Sequence, residues 1–110
     1  MSVSTHVLDA VSGRPAAGVG VVLERSGGGG WAQIAQRRTD ADGRVVDLAR
    51  QLEAGVHRLR FDVEGYYTAN GQDSFFYPEV TVTFRVTDPD AHLHVPLLLS
   101  PFAYSTYRGS

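Results

Sequence analysis

Apolar and polar residues alternate with a period of two along much of the chain. In residues 80–86, Val80, Val82, Phe84 and Val86 share one face while Thr81, Thr83 and Arg85 take the other, which predicts a strand with one wet side. Residues 56–63 repeat the pattern, with Leu59, Phe61 and Val63 inward and Arg58, Arg60 and Asp62 outward. Further strand candidates lie at 3–9, 19–24, 31–38, 92–99 and 102–107, with a short strand at most over 44–47. Turn signals separate them: Ser12-Gly13-Arg14-Pro15, Ser26 to Gly30 as a flexible connection, Asp40 to Gly43, and Ser100-Pro101. Two stretches read as helical, Asp47 to Ala54 with Gly55 as its C-cap, and Glu64 to Asn70 closed by Gly71. About eight short strands, with turns every eight to twelve residues, predict an all-β fold, a two-sheet β-sandwich.

A length of 110 residues fits one domain spanning 1–110, too small for a deep cleft with its own lid. A deep pocket on such a chain takes walls from a second copy of itself. Ten basic residues, all Arg, stand against twelve acidic ones, and no basic stripe offers a nucleic-acid surface. Cysteine is absent, so disulfides, thiolate metal sites and a Cys nucleophile are excluded. No apolar run approaches a membrane span, and the first residues carry no signal-peptide pattern, so a cytoplasmic protein is expected.

Polar residues on strands are the candidates for chemistry. Alternation puts His6 on one face with Ser4 and Leu8, and His94 on one face with His92, Pro96 and Leu98. Imidazole titrates near neutrality and is the usual general base or acid. Taken singly, each is an ordinary half-exposed strand histidine; they gain meaning only if the fold brings them together. His92 and His94 at i and i+2, with His6, could form a three-histidine metal site, but no HExxH spacing or bracketing carboxylate accompanies them, so neither metal nor cofactor is expected. His57 begins an alternating strand and reads as structural. Arg44, after a turn, offers a guanidinium fork for a planar anion or carbonyl. The glycines at 27–30 lack the Lys-Ser/Thr of a phosphate loop, and Ser110 lacks a G-x-S-x-G setting.

The run from Leu97 to Ser110, ending Tyr107-Arg108-Gly109-Ser110, resembles the end of a transthyretin-family chain, and more narrowly the 5-hydroxyisourate hydrolase branch. Ser4 to Asp9, Asp40 to Arg44 and Phe76 to Phe84 agree in the same order, so the resemblance runs nearly end to end. It implies a transthyretin-like sandwich with one short helix, at 64–70, assembled as a homotetramer, a dimer of dimers. The first strand, the His94 strand and the last strand would share a sheet whose outer face lines a channel between dimers. The resemblance carries over His6, Arg44, His94 and Ser110 as catalytic, and His6, Arg44, Tyr107 and Arg108 as substrate-binding. The implied substrate is the small molecule 5-hydroxyisourate, hydrolysed to a ureido-imidazoline carboxylate in urate degradation. The carrier branch of the fold, which binds small aromatic ligands without catalysis, does not keep these residues as a set.

Overall fold

A computed structural model describes residues 3–109. Its elements are β1 (Val3–Asp9), β2 (Arg14–Pro15), β3 (Gly20–Gly27), β4 (Gly30–Arg38), β5 (Arg44–Ala49), β6 (Gly55–Asp62), α1 (Val63–Ala69), β7 (Glu79–Val86), β8 (Leu93–Ser100) and β9 (Ala103–Thr106). They form a two-sheet sandwich. In one sheet β1 lies parallel to β8, β8 carries β9 on its far edge, and β2 and β5 share the other edge of β1. The second sheet runs β4-β3-β6-β7, all antiparallel.

The alternation read from the sequence decides what lies between the sheets. Val3 and Val7 of β1, Leu59 and Phe61 of β6, and Val95, Leu97 and Leu99 of β8 are buried in one core. His57 follows the same inward rule: it is fully buried, packs on Phe84 at 6.0 Å between ring centroids, and sits with Nδ1 3.2 Å from the Gly55 carbonyl. Outside, Glu24 takes hydrogen bonds from Arg58 at 2.6 Å and Arg60 at 2.9 Å, and Arg58 in turn lies over the Trp31 ring. The Arg58 hydrogen bond, above all, holds the Glu24 carboxyl below the usual range.

Three local expectations are corrected. Residues 47–54 are not a helix: the chain to Ala49 is strand, because β5 pairs with β1 through His6–Arg44 and Thr5–Val45, and those ladder bonds outweigh helix propensity. Gly55, with φ of +133°, opens β6 rather than capping a helix. Ser26 to Gly30 is no flexible loop. Gly27 pairs with Gly30, and Gly28 and Gly29 take φ of +61° and +81°, the two positive values a tight hairpin turn requires. Residues 14–15, read as turn, fold back as the two-residue β2, which makes nine strands among the described residues. The helix at 64–70 is present, shifted by one residue, with the Asp62 carboxylate accepting from the Gly65 amide at 3.0 Å as its N-cap.

Candidate active site

The outer face of the β1–β8 sheet collects the candidates from three strands. In the ladders His6 stands directly opposite Arg44 of β5, while Ser4 is level with His94 of β8 and His6 with Pro96. Because cross-strand partners share a face, His6, Arg44 and His94 converge there, although they lie up to 88 positions apart in the chain.

Neighbouring residues fix the backbone at Arg44 and the ring of His94. Arg44 follows a turn tied down by Asp40, whose Oδ1 accepts from the amides of Asp42 at 2.9 Å and Arg44 at 3.0 Å. Gly43 closes that turn at φ +74°, and its carbonyl accepts from the Val7 amide at 2.7 Å. His94 has the Ser4 hydroxyl 2.8 Å from Nδ1, and Ser4 also lies 3.3 Å from Nε2 of His92. The tail is laid against the same ring. The Gly109 amide donates to the His94 carbonyl at 2.8 Å, and the Thr106 hydroxyl donates to the Pro96 carbonyl at 2.6 Å.

Tyr107 and Arg108 are exposed and line a cleft of about 370 Å³ with His94, Leu93 and Val95, open between β7 and the tail. They share this cleft with His94, while His6 and Arg44 stand on the neighbouring strands β1 and β5. Ser110 lies outside the described residues. A larger cavity, about 790 Å³, sits on the outer face of the other sheet beside Arg37, Arg38 and Arg60 and contains none of the candidates. Among the described residues no group of three His, Cys, Asp or Glu side chains is spaced to hold a metal ion.

Sequence reasoning left Ser4 and Gly109 without a role of their own. The shared face of Ser4 and His6 was visible, but the contact with His94 needs the parallel β1–β8 register, which no local pattern announces.

Burial, followed by the positive charges of His6, His92 and Arg44, pushes the His94 imidazole below its ordinary 6.5. The lowered pKa favours the neutral, proton-accepting form of His94. Replacing Arg44 by Ala removes one of the charges opposing protonation, so the pKa of His94 is expected to rise. NMR titration of the imidazole resonances checks both points. A wild-type midpoint above 6.5, or a downward move in Arg44→Ala, would contradict this account of the site.

The HIUase/Transthyretin family model matches residues 3–109. The 5-hydroxyisourate hydrolase of Caulobacter vibrioides is 47% identical over 111 residues, covering 97% of this chain and 96% of the relative. The structure of Klebsiella pneumoniae 5-hydroxyisourate hydrolase superposes with a TM-score of 0.88 at 33% identity, covering all of both chains. Sea bream transthyretin in complex with thyroxine gives a TM-score of 0.91 at 36% identity, covering 99% of this chain and 95% of the other.

Proposed function

The chain belongs to the HIUase/Transthyretin family, and from that premise we propose that it is a hydrolase that opens the cyclic amide of 5-hydroxyisourate in urate degradation. The observation that carries the reading is the convergence of two imidazoles and a guanidinium, His6, His94 and Arg44, on one sheet face. Fold similarity does not choose between enzyme and carrier, because thyroxine-bound transthyretin superposes as well as the Klebsiella hydrolase does. Nor do the identities in those superpositions, 33% to the hydrolase and 36% to the transthyretin; what favours the enzyme is that the Caulobacter relative, 47% identical over nearly the whole chain, is a 5-hydroxyisourate hydrolase.

In the proposed mechanism neutral His94 takes a proton from water as the water oxygen bonds to the ring carbonyl carbon. His6 gives a proton to the ring nitrogen as the carbon–nitrogen bond breaks. Arg44 faces the oxygen on which negative charge gathers, where a guanidinium fork stabilises it most. The product is 2-oxo-4-hydroxy-4-carboxy-5-ureidoimidazoline. Its ureido nitrogen is not basic, so the carboxyl proton leaves to solvent. Tyr107 and Arg108 bind substrate from the tail, and Ser110 hydrogen-bonds substrate or water.

The working form is proposed to be a homotetramer, a dimer of dimers in the cytoplasm. Two features support assembly. β7 and β9 each end a sheet with an open edge among the described residues, and Val11, Phe76 and Phe102 expose 71%, 68% and 64% of their surfaces. No helix among the described residues is long and apolar enough to cross a membrane.

The test is an ultraviolet decay assay on 5-hydroxyisourate generated in place from urate and urate oxidase. The protein is expected to accelerate the loss of substrate, equally with and without chelator. A folded tetramer that gives no acceleration would favour the carrier instead, and acceleration abolished by chelator would contradict the metal-free mechanism.

A further inference from the structure

Ser4 occupies a place that the proposed mechanism does not use. Its hydroxyl lies 2.8 Å from His94 Nδ1 and 3.3 Å from His92 Nε2, and the residue is only 8% exposed, so one hydroxyl bridges two imidazoles with little competition from solvent. His92 itself is exposed, immediately before β8. A serine hydroxyl has one proton to donate, and between two ring nitrogens it points that proton at one of them.

Two arrangements follow. When His94 is protonated at Nδ1, that N–H donates to the Ser4 oxygen, the hydroxyl donates to His92 Nε2, and His94 Nε2 keeps a lone pair. When the proton is on His92 Nε2, that nitrogen donates to Ser4, the hydroxyl turns to donate to His94 Nδ1, and His94 Nε2 carries a proton. Only the first arrangement gives a base able to take a proton from water. The nitrogen a histidine uses is set by the hydrogen bond its other nitrogen makes.

We propose that Ser4 is a positioning residue that selects the tautomer of His94, and that His92 sets the direction in which the Ser4 hydroxyl points. The inference rests on the hydrolase reading for its consequence in turnover, but not for the hydrogen-bond chain itself. The other titratable or charged groups around His94 are His6 of β1 and Arg44 of β5, Tyr107 and Arg108 of the tail, and Arg85 and Asp88 across the cleft.

The experiment combines ring-nitrogen NMR with steady-state kinetics on the whole protein and on Ser4→Ala, Ser4→Thr and His92→Ala. In the wild type at neutral pH, His94 is expected in the Nδ1–H form, and in Ser4→Ala as a mixture. Ser4→Ala should lower kcat in proportion to the Nδ1–H fraction lost, about 2–10-fold for a mixture, with little change in KM. Ser4→Thr, which keeps the hydroxyl, should recover kcat. In His92→Ala the Nδ1–H fraction of His94 should fall, because the Ser4 hydroxyl loses its other acceptor and turns to His94 Nδ1. Wild-type kcat in Ser4→Ala would overturn the proposal, as would a folded Ser4→Thr no better than Ser4→Ala. An unchanged tautomer population in His92→Ala would overturn the part assigned to His92. A wild-type protein inactive on 5-hydroxyisourate would sink the hydrolase reading alone, because the NMR populations report the tautomer without substrate.

Discussion

Gly109→Ala is expected to lower kcat/KM for 5-hydroxyisourate by about 10²–10⁴-fold, the range lost when a positioned acid–base side chain is removed. A Cβ at Gly109 would stand 2.4 Å from His94 Cδ2, 3.1 Å from Cγ and 3.2 Å from Cβ. Atoms cannot share that space. Either the imidazole swings off Ser4, breaking the contact at Nδ1, or the tail lifts, losing the Gly109–His94 backbone bond and carrying Arg108 away. Both routes misplace catalytic groups by about 1 Å, which is enough to cost two orders of magnitude. The fold should tolerate the change, since the tail is exposed and one backbone hydrogen bond contributes only about 1 kcal/mol. Kinetics beside His94→Ala, with thermal unfolding of both, make the check. Near-wild-type turnover in Gly109→Ala would mean that the tail does not press on His94 in the working enzyme.

Gly43→Ala should damage both fold and site. At φ +74° an alanine is strained by its own backbone, and its Cβ would lie 2.4 Å from the Val7 carbonyl oxygen. That oxygen belongs to the central strand, so neither partner yields easily. Strain and overlap together should destabilise the protein by about 2–4 kcal/mol. For a domain of this size that lowers Tm by roughly 10–20 °C. Turnover should fall as well, because the displaced turn carries Arg44 as its next residue. Thermal unfolding by circular dichroism reads the first effect and the decay assay the second. Wild-type melting would show that the turn re-forms in another geometry.

What was legible in the sequence is what depends on period. Strict alternation set His6 on the face away from Val7 and His94 with His92 and Pro96, while the resemblance made that shared face the outer one; the sheet buries Val7 and Val95 and turns the two imidazoles the other way. Asp47 to Ala54 failed because good helix formers say nothing about β1, whose open edge captures residues 44–49 as a strand. The glycines at 28–29 were read by composition as slack, whereas their positive φ values make a fixed turn. Ser4 escaped notice for a different reason. Its meaning lies in a hydrogen bond to a residue 90 positions away, and a parallel register has no local sequence signature. Gly109 could be seen as part of a motif, but the reason it has no side chain is the ring lying against it.

The parallel pairing of β1 with β8 also bears on the order in which the protein matures. Ser4 is synthesised 90 residues before His94, a delay on the order of 5–20 s at ordinary translation speeds. Over that interval β1 can dock on β2 and β5, which are made soon after it, but its β8 edge stays unsatisfied. The nascent chain therefore carries half a sheet, with a strand edge open to neighbouring ribosomes' products, and no complete set of catalytic groups. Contacts so distant in sequence form slowly, which places the active face among the last parts of the molecule to become native.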